Sequence, residues 1–174
     1  MTETRMKRIL PGFLWLIAAS CVLAAGCSYS FTGSSVPPHL RTIGIPLFDD
    51  QSGSGEPGLR EKLTNKLIEK FVQDNSLAVS DKSHSDSMLE GVIVTVRDEP
   101  SVVTQGESVT KRRVTVSLKA TFQDMKLKKK VWEKQFSNWG DYEISGGPTA
   151  RQSGIDAALD KLTEDMVLET VSGW

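Results

Sequence analysis

The sequence is poor in the residues from which metal sites and nucleophile–base pairs are built. It contains two cysteines and two histidines, and neither His39 nor His84 has a second histidine or a cysteine at metal-ligand spacing. It has no glycine-rich strand-to-helix turn and no Walker pattern for phosphate. His84 and Asp86 lie near serines, but all of these residues fall in one serine-rich turn. We therefore predict that the protein is not an enzyme and needs no cofactor or metal.

The sequence also lacks an excess of charge of one sign. Its 21 lysines and arginines and 22 acidic residues leave a net charge of −1. Such a balance gives no general attraction for nucleic acid, so any anion-binding role depends on local clusters. Beyond residue 26, no apolar run approaches the 18 residues that a membrane-spanning helix needs.

The N-terminus does contain a short apolar run, and it has the features of an export signal. Arg5, Lys7 and Arg8 precede a mostly apolar stretch from Ile9 to Ala25, which is too short for a spanning helix. The stretch ends in Leu-Ala-Ala-Gly before Cys27, which resembles the lipobox of bacterial lipoproteins. This resemblance implies cleavage before Cys27 and acylation of that residue with fatty acids such as palmitate.

The alternative is an ordinary secretory signal followed by a structural Cys27. Cys21 would then leave with the signal, so Cys27 has no partner for an internal disulfide. We predict a cleaved signal peptide over residues 1–26, a lipid-anchored tether over 27–41 and a single domain over 42–174. Cleavage removes three basic residues and one acidic residue, so the mature charge is −3. By resemblance to enterobacterial sorting, Ser28 after the cysteine favours the outer membrane.

Apolar periodicity predicts two amphipathic helices. The first covers residues 57–74, and its apolar positions are Leu59, Leu63, Leu67, Ile68, Phe71 and Val72. The second covers roughly residues 150–170, and its apolar positions are Ile155, Ala158, Leu159, Leu162, Met166 and Val167.

Alternation of apolar and polar residues predicts the strands. They are Thr42–Phe48, Leu77–Ser80, Met88–Val96, Arg113–Phe122 and Val131–Trp139. The residues between Asp49 and Gly55 are predicted to be a flexible polar loop, and those from Asp124 to Lys130 a turn. We predict an α+β fold, a two-layer sandwich with two helices packed on one face of a mostly antiparallel sheet of four to five strands.

Two basic clusters border the most regular strand. The first basic cluster is Lys111, Arg112 and Arg113, and the second is Lys126 with Lys128, Lys129 and Lys130. Their positions at the two ends of one strand predict that they lie apart. One interpretation is that they protect sheet edges from aggregation. The other is that they attract anionic lipid headgroups or an acidic partner.

Several short segments, in order, resemble the lipopolysaccharide-assembly lipoprotein family LptE. They are Cys27–Gly33, Ile43–Phe48, Leu63–Leu67 with Phe71, Leu77–Val79, Asp86–Gly91, and Phe122 with Asp124 before Val131–Glu133. The glycine-rich loop after Phe48 and the early end at Trp174 depart from the family pattern.

The resemblance implies an outer-membrane lipoprotein at the periplasmic face, held in the membrane through acylated Cys27. Its implied partners are lipopolysaccharide and a large outer-membrane β-barrel that inserts lipopolysaccharide into the outer leaflet, and not nucleic acid. The lipoprotein would plug the barrel, assist its folding and contact lipopolysaccharide, for which the candidates are Lys111, Arg112, Arg113, Lys128, Lys129 and Lys130.

Two other classes compete with this interpretation. One is an unrelated periplasm-facing lipoprotein of an envelope secretion or cell-wall complex. Co-purification of a giant barrel would argue against this class. The other is a lipid-anchored hydrolase. The lack of a catalytic constellation disfavours this class, whereas loss of activity in His84→Ala would support it.

Overall fold

The computed structural model describes residues 36–101 and 110–174 of the chain. The predicted signal peptide and the predicted acylation site at Cys27 lie outside the described residues, as does most of the predicted tether.

Within the described residues two α-helices form, each at the place its apolar repeat predicts. Helix α1 is Leu59–Asp74 and helix α2 is Gly147–Ser172. Helix α1 ends at Asn75, which adopts the left-handed conformation (φ 59°) and donates its N–H to the carbonyl of Phe71. Pro148 lies in the first turn of α2, where its missing N–H costs no hydrogen bond. A short 3₁₀ helix, Ile144–Gly146, precedes α2.

In the part of the chain that the structure describes, six strands form one mixed sheet. They are β1 (Thr42–Gly44), β2 (Asp49–Asp50), β3 (Ala78–Ser80), β4 (Ser87–Pro100), β5 (Lys111–Asp124) and β6 (Lys129–Glu143). The strand order is β3-β1-β4-β5-β6, and β2 also pairs with β4. The long strands β4, β5 and β6 are antiparallel neighbours. The short strands pair in parallel: β1 pairs with β3 and β4, and β2 pairs with β4. The predicted α+β class and the mostly antiparallel sheet are confirmed.

Strand β5 shows why the two layers form. Val114, Val116, Leu118, Ala120 and Phe122 are fully buried, while the residues between them reach the opposite face. The buried face packs against Leu63 and Leu67 of α1 and Ile155 and Leu159 of α2 in one core. The other face of the sheet carries cross-strand polar pairs, such as Ser117 with Ser137 at 2.8 Å.

The helices lie parallel to each other and are joined by a ladder of ion pairs. Lys62 pairs with Asp156, Lys66 with Asp160, and Lys70 with Glu164, at 3.2, 2.5 and 2.6 Å. The four-residue spacing in both helices brings one pair to each successive turn. Because at least one side chain of each pair is exposed, each pair adds little to the stability of the fold.

The prediction of one strand over Thr42–Phe48 is wrong. Strand β1 ends at Gly44, and Asp49–Asp50 of the predicted polar loop instead pairs with β4. A hydrogen bond from the Phe48 N–H to the Thr64 hydroxyl (3.1 Å) links this segment to α1. The ring of Phe48 fills the space above Gly91, where a Cβ atom would lie 2.4 Å from it. The chain therefore leaves β1 to insert Phe48 into the core.

Two smaller predictions also need correction. Val72 does not face the core, because 63% of its side chain is exposed on α1. The turn predicted over Asp124–Lys130 is shorter, since β5 continues to Asp124 and β6 begins at Lys129.

Candidate functional site

The two basic clusters lie at opposite ends of the β5–β6 hairpin. Lys111 pairs in register with Glu143, and Asp124 pairs with Lys129. The 14 residues of β5 separate the clusters by roughly 40 Å, at the usual rise of a strand. The prediction that the clusters lie apart is confirmed, and they form two separate surfaces.

The first basic cluster is engaged with carboxylates of its own sheet. Lys111 pairs with Glu143 at 3.3 Å, and Arg113 forms a two-pronged contact with Asp141 at 2.7 and 2.9 Å. The Arg113 guanidinium holds the pKa of Asp141 below its usual value and lies 5.0 Å from the centre of the Trp139 ring. Lys111 and Arg113 are therefore already neutralised by partners on β6.

Arg112 points to the helical face, into a polar network that closes one end of the core. It donates to the side chain and the carbonyl of Asp98, each at 2.7 Å. Tyr142 and Arg151 also donate to Asp98, at 2.9 Å each, and Arg151 binds Glu56 at 2.5 Å. Partial burial raises the pKa of Asp98, but these hydrogen bonds lower it by more, so its net pKa lies below the usual value.

The Asp98 network was not predicted from the sequence. Its members come from β4, β5, β6, α2 and the segment before α1, and no spacing along the chain relates them. Arg112 therefore links the sheet to the start of α2.

The second basic cluster is more open to an external anion. Lys126 binds Asp86 at 3.0 Å, and Lys130 binds Glu133 at 2.5 Å. Glu133 also binds Lys119, and the two lysines, Lys119 first, lower its pKa to about 2. Within residues 36–101 and 110–174, no carboxylate pairs with Lys128 or Lys129.

Exposed apolar side chains lie between these lysines. In the hairpin tip, which we define as Met125–Lys130, 38% of Met125 and 65% of Leu127 is exposed. The Leu127 N–H donates to the Asp124 carboxylate at 2.8 Å, and Lys128 has φ 52°. Leu127 lies between Lys126 and Lys128 in the sequence, and this position among charged residues is the signal from which its exposure could have been predicted.

The chain enters the domain beside the hairpin tip. His39 binds the buried Asp124 carboxylate through Nε2 at 2.6 Å, and Lys126 donates to the His39 carbonyl at 2.7 Å. Burial raises the pKa of Asp124, but the Leu127 N–H and His39 lower it by more, so its net pKa is below the usual value. These contacts hold the end of the predicted tether against the tip.

His84 and Asp86, the pair weighed for nucleophilic chemistry, have separate surroundings. His84 is exposed and its Nδ1 lies 2.9 Å from the Ser83 hydroxyl. Asp86 accepts the N–H groups of Arg41 and Thr42, and these bonds, the Arg41 bond first, together with Lys126 lower its pKa. Asp86 thus positions the start of β1.

Neither a metal cluster nor a spanning helix is found where the structure is described. Over residues 36–101 and 110–174, no three His, Cys, Asp or Glu side chains converge as metal ligands would. No helix of that part is both long and apolar enough to cross a membrane.

These features define an α+β domain with one face of its sheet covered by two helices and the other face open. The profile of the lipopolysaccharide-assembly family LptE matches residues 40–171 of the chain. The chain therefore belongs to the LptE family, as its resemblance indicated. No curated protein sequence gives a significant match.

Several solved structures share the fold at low sequence identity. A DUF330-family protein from Xanthomonas campestris superposes with a TM-score of 0.58 at 15% identity, covering 79% of this chain and 90% of its own. A hypothetical protein from Chlamydia trachomatis gives 0.55 at 5% identity, covering 75% and 95%. The PelC dodecamer subunit from Paraburkholderia phytofirmans gives 0.53 at 11% identity, covering 81% and 95%. At these identities the likeness concerns the fold alone.

Proposed function

We propose that this protein is a lipid-anchored plug and assembly factor for a large outer-membrane β-barrel that inserts lipopolysaccharide into the outer leaflet. The observation that carries the proposal is the LptE family match over residues 40–171, which spans almost the whole predicted domain. In this proposal acylated Cys27 holds the protein at the periplasmic face of the outer membrane. The open face of the sheet, with its polar cross-strand pairs, is a broad surface that suits contact with a barrel wall.

The proposal treats the protein as a binding module and assigns it no catalytic residue and no cofactor. His39 is occupied by Asp124, and His84 lies in an exposed turn beside Ser83. Both positions favour structural roles for the two histidines over proton transfer.

Capture of the barrel tests this function directly. A C-terminally tagged protein, expressed in its own host and extracted in mild detergent, should co-purify with a large outer-membrane barrel. An unrelated tagged outer-membrane lipoprotein serves as the control and should not retain that barrel. Retention of secretion or cell-wall components without a barrel would contradict the proposal and support the competing lipoprotein class.

Lipopolysaccharide contact through the basic clusters forms a second part of the proposal. Lipopolysaccharide carries phosphates, which lysine binds as a point charge and arginine binds through two donors. The intramolecular carboxylates of Lys111, Arg112 and Arg113 compete with an external phosphate. Lys128 and Lys129 face no such competition from the described residues, so the second cluster is the stronger candidate.

We predict that Lys128→Ala/Lys129→Ala/Lys130→Ala weakens lipopolysaccharide binding by up to roughly fivefold per lysine, and that salt weakens the wild-type contact as well. Binding to immobilised lipopolysaccharide across a salt series measures both effects. The matched variant Lys111→Ala/Arg112→Ala/Arg113→Ala should bind with a smaller loss, and both variants should still capture the barrel. If lipopolysaccharide binding is unchanged in both variants, the clusters only protect the sheet edges from aggregation.

A further inference from the structure

We propose that the hairpin tip, Met125–Lys130, rests on the surface of the leaflet that holds the lipid anchor, with Lys128 and Lys129 on phospholipid phosphates and Leu127 among the headgroups. This inference rests on the acylation of Cys27, which is part of the proposed function.

The composition of the tip fits a membrane surface better than it fits bulk water. Met125 and Leu127 are exposed by 38% and 65%, and all four lysines of the tip are exposed around them. Exposed apolar side chains beside lysines bind membrane interfaces through two additive terms, which are apolar burial and attraction to anionic headgroups. A turn that served only to protect an edge would gain nothing from exposing Leu127.

The carboxylates nearest to the tip pair with only two of its four lysines, Lys126 and Lys130. The Asp124 carboxylate accepts hydrogen bonds from His39 and the Leu127 N–H. The Asp86 carboxylate accepts the N–H groups of Arg41 and Thr42 and pairs with Lys126. Glu133 is shared between Lys119 and Lys130. These partners leave the charges of Lys128 and Lys129 at the outer end of the hairpin.

The path of the chain brings this end of the domain to the membrane. Lys126 and Asp124 both bind His39, which lies three residues after Val36. The described chain therefore begins beside the tip in space. Eight residues lie between Cys27 and Val36, the first described residue, and the nine steps from one to the other reach no more than about 32 Å even when fully extended. The first basic cluster lies roughly 40 Å further along β5, at the opposite end. The anchored end of the domain is therefore the one that carries Leu127 and the lysines.

Site-specific fluorescence on the acylated protein tests this orientation. Acylation consumes the Cys27 thiol, and Cys21 is removed with the signal, so Leu127→Cys provides the single reactive thiol for an environment-sensitive dye. Lys111→Cys provides the matched label at the far end of β5. Each labelled protein is reconstituted in vesicles of phosphatidylcholine with a minor fraction of phosphatidylglycerol, which also contain a headgroup-level quencher lipid.

The dye at position 127 should be quenched several-fold more than the dye at position 111. Quenching at 127 should fall in vesicles of phosphatidylcholine alone and in Lys128→Ala/Lys129→Ala/Lys130→Ala. That variant should keep the circular dichroism melt of the wild type, because the three side chains are exposed. Equal quenching at 127 and 111 on protein that floats with the vesicles would overturn the inference.

Two further outcomes separate this inference from the proposed function. If the wild-type protein does not float with vesicles, the anchor proposal fails, and the inference fails with it. If quenching at 127 appears only when lipopolysaccharide is added to the vesicles, the tip is a lipopolysaccharide site and not a phospholipid contact. The inference is then overturned while the proposed function stands.

Discussion

At the scale of single residues, the contact between His39 and Asp124 joins positions 85 residues apart. Asp124 is almost fully buried, yet its pKa is lowered, because the Leu127 N–H and His39 stabilise the carboxylate more than burial destabilises it. A buried carboxylate with satisfied hydrogen bonds stabilises the fold only while it is charged.

We predict that Asp124→Asn costs about 1.5–3 kcal/mol of unfolding free energy at pH 7, the usual value for hydrogen bonds to a charged group. Since the pKa of Asp124 is lowered in the folded state, this contribution is complete above the unfolded pKa near 3.8. It is lost as the pH falls below that value through the folded pKa. Urea unfolding at pH 7 and at lower pH measures the difference, which should shrink in acid.

Asp81→Asn is the matched control, because Asp81 is exposed. It should change the unfolding free energy by no more than about 0.5 kcal/mol at any of these pH values. A difference between wild type and Asp124→Asn that stays constant with pH would show that the charge of Asp124 is not what stabilises the fold.

At the scale of elements, the packing of α2 on β6 depends on two glycines. A Cβ atom on Gly140 would lie 2.0 Å from the carbonyl oxygen of Gly154 and 2.8 Å from its carbonyl carbon. A Cβ atom on Gly154 would instead meet Tyr142 Cδ1 at 3.2 Å and the Gly140 oxygen at 3.4 Å. The helix thus crosses the strand at backbone contact distance, and only Gly140 has no room for a side chain.

We predict that Gly140→Ala destabilises the protein by about 2–3 kcal/mol or more, because the helix must move away from the strand. Gly154→Ala should stay within about 1 kcal/mol of the wild type, since the gain in helix propensity offsets a mild contact. Chemical denaturation of the two variants provides the comparison. Equal losses at both positions would mean that the crossing tolerates displacement of α2.

The two layers of the fold give a second prediction at this scale. Leu63 on α1 and Leu118 on β5 are both fully buried, so Leu63→Ala and Leu118→Ala should each cost about 2–5 kcal/mol. Lys119, adjacent to Leu118 but on the open face, pairs only at the surface with Glu133. Lys119→Ala should therefore cost at most about 1 kcal/mol in urea melts. A loss equal to that of Leu118→Ala would show that the facing of β5 has been misread.

At the scale of the whole molecule, the fold gives the domain two different ends. One end has the Asp98 network, which ties Arg112 to Arg151 and the start of α2. The other end holds the hairpin tip and the point where the chain enters. The predicted anchor at Cys27 lies outside the described residues, and the described chain starts at this second end.

We predict that Cys27→Ala releases the protein from the membrane without unfolding it. The variant should appear in the detergent-free extract with the melting temperature of the anchored domain, whereas the wild type should need detergent. Plural acyl chains bind membranes far more firmly than surface contacts do, at about 0.8 kcal/mol per buried CH₂. A variant that has lost residues 1–26 and still sediments with membranes would show that the domain itself supplies the attachment.

The sequence by itself determined the elements whose evidence is local. Repeats of apolar residues predicted α1, α2 and the facing of β5, because a side chain three or four residues away on a helix, or two away on a strand, lies on the same face. From these faces the two-layer α+β class followed. The positions of the two basic clusters at opposite ends of β5 followed from the length of that strand.

Only the tertiary structure decided the features that depend on distant partners. Strand β1 ends at Gly44 because Phe48 has a place above Gly91, which is 43 positions away in the sequence. Val72 continues the apolar repeat of α1 but remains exposed, since no element within residues 36–101 and 110–174 covers it. Arg112 and Lys128 look alike in the sequence, yet Arg112 is bound to Asp98 and Lys128 is not paired with any described carboxylate. Periodicity reports which face a residue is on, whereas ion pairing and burial depend on what the folded chain brings to that face.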